Sequence, residues 1–383
     1  MKINPIIVAG ALSLGFVSLA DATQYVYLTG STACRSIVYA TLNSTAVFDA
    51  APQFTGYSSS TASKCTWMEF SGNIGGNATI VKCYWSGSEA GISDVVNGSS
   101  EQFLNDPGVG GVDNGNTGNS ATPSGSQLVT HTVDLAMADN KQSFSQNPKP
   151  VLANGTEVAV ITFTFVKEKG SKAGLVNVTD AQFRQAITGG AKLALFTGNS
   201  ADTSFVYISG RDNLSGTRVN FFGETGFGIS SQPSQVEIDS GGNMLDPNGD
   251  STYVTTSGYS SGGSVATQMG YDVSDTTDQI NGGTGISVIG YLGRSDANTA
   301  ISNGGTELTY NGITQSAAAV IEGQYSIWGN EYVYQANGAS SQAQTVYGKL
   351  VSGIPANCDG STAIKLSAMH ATRGGPTTDP IHN

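Results

Sequence analysis

Arg211 and Arg218 stand on either side of Ser215-Gly216-Thr217, where the apolar stretch FVYISG gives way to a helical pattern. Two other joins repeat the device: Gly30-Ser31-Thr32 closes QYVYLTG, and Ser86-Gly87-Ser88 follows ATIVKCYW. A helix N-terminus leaves its first N–H groups without carbonyl partners and carries roughly half a positive charge. Hydroxyls at Thr32, Ser88, Ser215 and Thr217 would add donors, and an oxyanion is the natural occupant of such a place. Ser and Thr also cap helices that bind nothing, so one segment alone decides little. Arginine usage tips the balance: the chain has six, and Arg35, Arg211 and Arg218 fall in these segments. A guanidinium donates in a planar fork that suits phosphate-like oxygens. Arg211 is the best candidate contact, whereas Arg35 and Arg218 are expected on solvated helix faces.

The elements that must position these residues alternate. QYVYLTG reads as a strand and STACRSIVYATLN as a helix capped by Ser31 or Thr32. ATIVKCYW is a strand before a second helix, and LVTHTVDLAMADN places a strand before Asp139. EVAVITFTFVKE and YSIWGNEYVYQ are long β-branched or aromatic strands suited to cross between lobes. VTDAQFRQAITG is a short helix capped by Thr179 or Asp180, and GISVIGYL is a buried strand. Such alternation indicates an α/β design with parallel sheets. Residues 98–128 and 230–264 are rich in Gly, Ser, Asn and Asp and read as loops or insertions. DPNGD at 246–250 is an ordinary turn, since it lacks the glutamate of a calcium loop.

The bulk numbers set outer limits. Residues 1–22 have a basic start, an apolar run and a small-x-small end, the form of a signal peptide, so a periplasmic or secreted destination is expected. No other stretch is apolar enough to span a bilayer. The remainder exceeds one ordinary core, and two lobes are the default. A net charge of −12 argues against nucleic acid without excluding a small anion in a local pocket. Cys34, Cys65, Cys83 and Cys358 suit an oxidising compartment. Three pairings are open; Cys65 with Cys83, across a hairpin folded about Ile74, is preferred, and buried free thiols are the alternative. No metal site is expected, because there is no CxxC and no histidine lies near a cysteine in sequence.

Four segments resemble the ligand segments of periplasmic phosphate-binding proteins, the substrate-binding components of phosphate ABC transporters, and occur in the same order. They are Leu28 to Thr32, Gly87 to Ile92, Asp134 to Asp139, and Arg211 to Thr217. IGYL at 289–292 is similar to the family's late strand. The resemblance implies a two-lobed Venus-flytrap, the type II periplasmic binding protein fold, with each lobe a mixed, mainly parallel sheet flanked by helices. Residues 23–160 plus 303–383 would form one lobe and 161–302 the other, with crossover strands near 157–168 and 325–335. Ser31 or Thr32 together with Ser88 would donate to the anion from one lobe, and Arg211, Ser215, Gly216 and Thr217 from the other. Asp139 matches the family's acidic position. An ionised carboxylate only accepts hydrogen bonds, so it can pair with the proton of hydrogen phosphate and repels sulfate, which has none. Glu89 departs from the family pattern and would bring a negative side chain near the anion.

The implied function is capture of inorganic phosphate, or a similar tetrahedral oxyanion, for import through an ABC transporter permease. No cofactor and no catalytic residue are expected. His131, His370 and His382 have no triad-like arrangement around them, and there is neither a GxSxG nor an SxxK. The other reading keeps the fold and drops transport: a surface or matrix protein whose cleft is vestigial or takes another ligand.

Overall fold

The computed structural model describes residues 22–373 and the short strand Ile381–His382. The expected signal peptide falls outside these residues, except for Ala22. The first half contains β1 (Gln24–Gly30), α1 (Arg35–Leu42), β2 (Gln53–Tyr57), β3 (Trp67–Ile74), β4 (Asn77–Tyr84) and α2 (Ser88–Asn97). It continues with β5 (Ser100–Leu104), β6 (Leu128–Thr132), β7 (Leu135–Ala138) and the long β8 (Asn154–Lys167). Next come β9 (Asn177–Val178), α3 (Asp180–Ala186), β10 (Ala191–Lys192), α4 (Ala194–Thr197), β11 (Phe205–Ser209), α5 (Gly216–Glu224), α6 (Gly262–Gln268), β12 (Ser287–Gly293) and α7 (Arg294–Ser302). The chain returns through β13 (Thr306–Glu307), β14 (Thr309–Tyr310) and α8 (Ala317–Ile321) to β15 (Trp328–Gln335) and α9 (Ser341–Gly353).

One mixed sheet runs in the order β10-β11-β12-β8-β15-β7-β1-β4-β3-β2. β8 is its pivot: Asn154 to Thr162 pair with β15, and Phe163 to Lys167 pair with β12. Parallel pairing is confined along this path to β7-β1-β4 and β11-β12. The other neighbours are antiparallel because hairpins and returning strands join them. Ligands in open α/β sheets collect beyond the carboxyl ends of parallel strands. The segments singled out above follow β1, β4, β7 and β11.

Strand alternation and helix stripes bury one continuous apolar cluster, from Val26, Leu28 and Val38 through Phe163 and Phe165 to Ile208 and Phe221. Phe165 and Tyr291 pack on Phe221 with ring centroids 4.8 and 5.1 Å away. Each such pair contributes roughly 0.5–1.5 kcal/mol beyond its buried area. A second cluster under β12 contains Val265, Met269, Val288 and Leu292. Among the described residues no helix is long and apolar enough to cross a membrane.

The expected Cys65–Cys83 disulfide is absent; all four cysteines are free. The hairpin turns through Gly75-Gly76, both at positive φ, rather than about Ile74, so Met68 lies opposite Cys83. Cys65 precedes β3, where its Sγ donates to the Ser59 carbonyl at 3.2 Å. Within 98–128, β5 and β6 form a second hairpin, and the intervening loop packs along β2 through Gln53, Thr55 and Tyr57. At 246–250, Asp246 accepts the Asp250 and Ser251 N–H groups at 3.2 and 2.8 Å, which is turn geometry.

Candidate functional site: a hydroxyl and guanidinium cluster between sheet ends

Close backbone contact brings the strand ends together. Gly30 has φ +123°, and a Cβ there would lie 2.0 Å from the Met137 carbonyl oxygen. Gly87 has φ +119°, and its Cβ would lie 2.4 Å from the Leu214 carbonyl oxygen. Main-chain bonds then tie the segments: Ser31 N to Met137 O at 2.8 Å, Gly87 N to Gly30 O at 2.8 Å, and Glu89 N to Leu214 O at 3.0 Å. The last of these links the turn at the start of α2 to the turn before α5.

Asp139 sits where the segments meet and is 1 % exposed. Ser88 Oγ donates to its Oδ1 at 2.5 Å, and Thr217 Oγ1 donates to its Oδ2 at 3.4 Å. The Asp139 N–H in turn donates to Ser88 Oγ at 3.2 Å. Burial raises the Asp139 carboxyl above its ordinary range, opposed by the Ser88 hydrogen bond and the Arg211 charge. Gly216 opens α5 against this carboxylate, and a Cβ on it would fall 1.7 Å from Asp139 Oδ1. Asn220, one turn later, donates to the Asp139 carbonyl at 2.8 Å and to the Gly216 carbonyl at 3.0 Å.

Arg211 is held from three directions. Its Nε and Nη2 donate to the Tyr259 and Ser260 carbonyls at 3.2 and 2.9 Å, and Nη1 donates to Thr32 Oγ1 at 3.3 Å. The acceptor carbonyls belong to the 230–264 segment, which therefore orients the arginine. Ser215 is the N-cap of α5, accepting the Arg218 N–H at 3.3 Å. Ser88, Asp139 and Thr217 form one hydrogen-bonded set against Gly216, and Arg211 with Thr32 forms another, with the Arg211 charge acting on Asp139; Ser215 caps α5 through the Arg218 N–H, and Ser31 N donates to Met137 O.

Several expectations change. The N-cap of α1 is Cys34, not Ser31 or Thr32. Ser31 Oγ instead accepts the Ala33 N–H at 3.2 Å, and Thr32 is left to meet Arg211. Arg35 and Arg218 are buried rather than solvated. Arg218 Nη1 donates to the Thr256 and Ser257 carbonyls at 3.0 and 3.1 Å, and its guanidinium stacks over Phe222. Glu89 turns away from the cluster, accepting Asn140 Nδ2 and the Gln146 N–H, each at 2.7 Å. Burial pushes its carboxyl up to about 7.

Glu331 is a group the sequence reading missed. It is fully buried on β15, where the Cys34 thiol is its side-chain hydrogen-bond partner. Burial, and next the neighbouring Asp139 charge, hold it well above the ordinary carboxyl range. The signal available was one acid inside an aromatic strand. His131 stacks on Tyr27 and His370 pairs with Glu322 at 2.8 Å, so neither belongs to the cluster. Donors from hydroxyls, a guanidinium and helix-opening amides around one buried carboxylate can recognise a small oxyanion that carries a proton.

The global arrangement matches solved structures. A protein of Clostridium perfringens, named as a phosphate ABC transporter substrate-binding protein and crystallised with bound phosphate, aligns with a TM-score of 0.50. The alignment covers 90 % of this chain and 100 % of that one at 12 % identity. This chain has the two-lobed periplasmic binding protein fold. An ABC-type phosphate transport receptor of Vibrio cholerae aligns at a TM-score of 0.46 and 10 % identity, over 85 % of this chain and 93 % of its own. No family model matches the chain, and no curated protein matches it by sequence. The likeness between this binding-protein fold and its neighbours therefore lies in architecture.

Proposed function

We propose that the chain is an exported solute-binding protein that captures inorganic phosphate between its lobes and delivers it to an ABC-type permease. The observation that carries this reading is the meeting of Ser88, Asp139, Gly216 and Thr217 at one buried carboxylate, with Arg211 alongside. Ser31, Thr32 and Ser88 would act from the lobe formed by 23–160 plus 303–383. Arg211, Ser215, Gly216 and Thr217 would act from the lobe formed by 161–302. β8 and β15 would be the crossovers. Asp139 accepts the proton of hydrogen phosphate, while the hydroxyls, amides and guanidinium donate to its oxygens. Closure excludes water and strengthens those bonds, so binding biases an open–closed equilibrium without chemistry on the ligand. Titration calorimetry with phosphate, sulfate and arsenate tests the reading, and phosphate is expected to bind most tightly.

One observation favours the second reading, a surface or matrix protein with a vestigial cleft. The polar groups already satisfy one another: Asp139 accepts two hydroxyls, and Arg211 donates to two carbonyls and Thr32. Absence of saturable binding up to millimolar phosphate would decide for it.

A further inference from the structure

Beside the cluster lies a separate cavity of about 360 Å³, lined by Arg35, Ser58 and Lys64 on one wall and Ser261, Asp296 and Thr299 on the other. Its volume falls within the roughly 300–1,000 Å³ of small-molecule sites. The two walls come from distant parts of the chain and touch through Lys64 Nζ, which donates to Thr299 Oγ1 at 3.0 Å. Arg35 is 8 % exposed and lines the cavity. Its guanidinium makes no hydrogen bond or salt bridge among the described residues, and the charges acting on it are those of Asp296 and Arg211. A buried guanidinium without acceptors is costly, and a ligand oxyanion would supply them.

On both walls the cavity adjoins residues that hold Arg211. Thr32, three residues before Arg35, and Ser260, the residue before Ser261, are both partners of Arg211. Asp296 feels the charges of Arg35, Arg211 and Lys64. Arg35 and Lys64 share this lining with Asp296 in a chain whose net charge is −12. Seryl and threonyl hydroxyls complete the lining and can donate to, or accept from, a protonated oxyanion.

We propose that this cavity is a second oxyanion subsite, so that the protein takes condensed phosphates, diphosphate being the smallest, with one phosphoryl at Asp139 and the next at Arg35 and Lys64. The inference rests on the phosphate reading of the Asp139 cluster. Titration calorimetry of the full mature chain with sodium diphosphate and with orthophosphate tests it, on wild type, Arg35→Gln and Lys64→Gln. Diphosphate is expected to bind wild type at least tenfold more tightly than orthophosphate. Each variant should lose most of that advantage while holding orthophosphate within about threefold. Lys64 lies near the surface, so its replacement reports on the subsite even if Arg35→Gln fails to fold. Orthophosphate binding with no gain for diphosphate overturns the subsite alone. Diphosphate binding without measurable orthophosphate binding upholds the subsite and overturns orthophosphate as the cargo. No binding of either overturns both.

Discussion

Ser88 Oγ and Asp139 Oδ1 lie 2.5 Å apart, joining the first residue of one helix to the end of a strand 51 positions later. The contact presents a carboxylate with one oxygen fixed and the other shared with Thr217. Replacing Asp139 with Asn removes the acceptor charge but keeps the shape. A hydrogen bond to a charged group contributes about 1.5–3 kcal/mol, so phosphate affinity should fall roughly ten- to hundredfold. Sulfate should gain relative to phosphate in the same calorimetric series. Equal affinity of the two anions for wild type would remove Asp139 from this role.

Gly216 is the position least able to accept a side chain. A methyl there would meet Asp139 Oδ1 at 1.7 Å and Ser88 Oγ at 2.5 Å, so α5 must retreat from the cluster. Gly216→Ala should weaken phosphate binding by more than tenfold while far-ultraviolet circular dichroism stays unchanged. Binding within threefold of wild type would show that α5 does not need this approach.

A strand giving way to a helix is a local change of period, which is why the joins after β1, β4 and β11 were legible in the sequence together with the α/β alternation, whereas the expected hydroxyl cap holds only at Ser215, since Cys34 caps α1 and Gly87 caps α2. The partners of Arg211 were not. Tyr259 O and Ser260 O lie in a segment with no periodicity, and main-chain acceptors leave no mark on residue type. Hairpin register was equally hidden, because moving the turn from Ile74 to Gly75-Gly76 exchanges a cysteine for Met68 opposite Cys83. Glu331 was obscured by an aromatic strand whose burial could be read but whose neighbours could not.

Asp94 gives stability a pH dependence. It is buried in α2, where Thr29 Oγ1 donates to it at 2.9 Å, yet burial outweighs that bond and pushes its carboxyl up from 3.8 to about 7. The folded state therefore holds a proton that the unfolded chain releases. This contribution is fully present below about pH 3.8 and is lost as pH rises toward about 7. Melting of wild type against Asp94→Asn between pH 4 and 8 should show wild type losing ground, by roughly 2–4 °C per kcal/mol. A difference that does not change with pH would assign the burial no such role.

The thiols are a test of the packing. Cys34, Cys65 and Cys83 are fully buried, whereas Cys358 is partly exposed. Burial also raises all four thiols above their ordinary range. Ellman's reagent should titrate four thiols in denaturant without reductant, and on the native protein should modify Cys358 first and slowly. Two thiols in denaturant would establish one disulfide and overturn the free-thiol packing.

β8 shares its length between β15 and β12. The rungs to β15 leave from Asn154 to Thr162 and those to β12 from Phe163 to Lys167, so this one strand joins the two halves of the sheet. Pulling the two halves apart within the plane would rupture those rungs, but torsion along the strand axis leaves them whole. Under the proposed phosphate capture, lobe closure is accordingly expected as a twist along β8 rather than as a separation of the two halves.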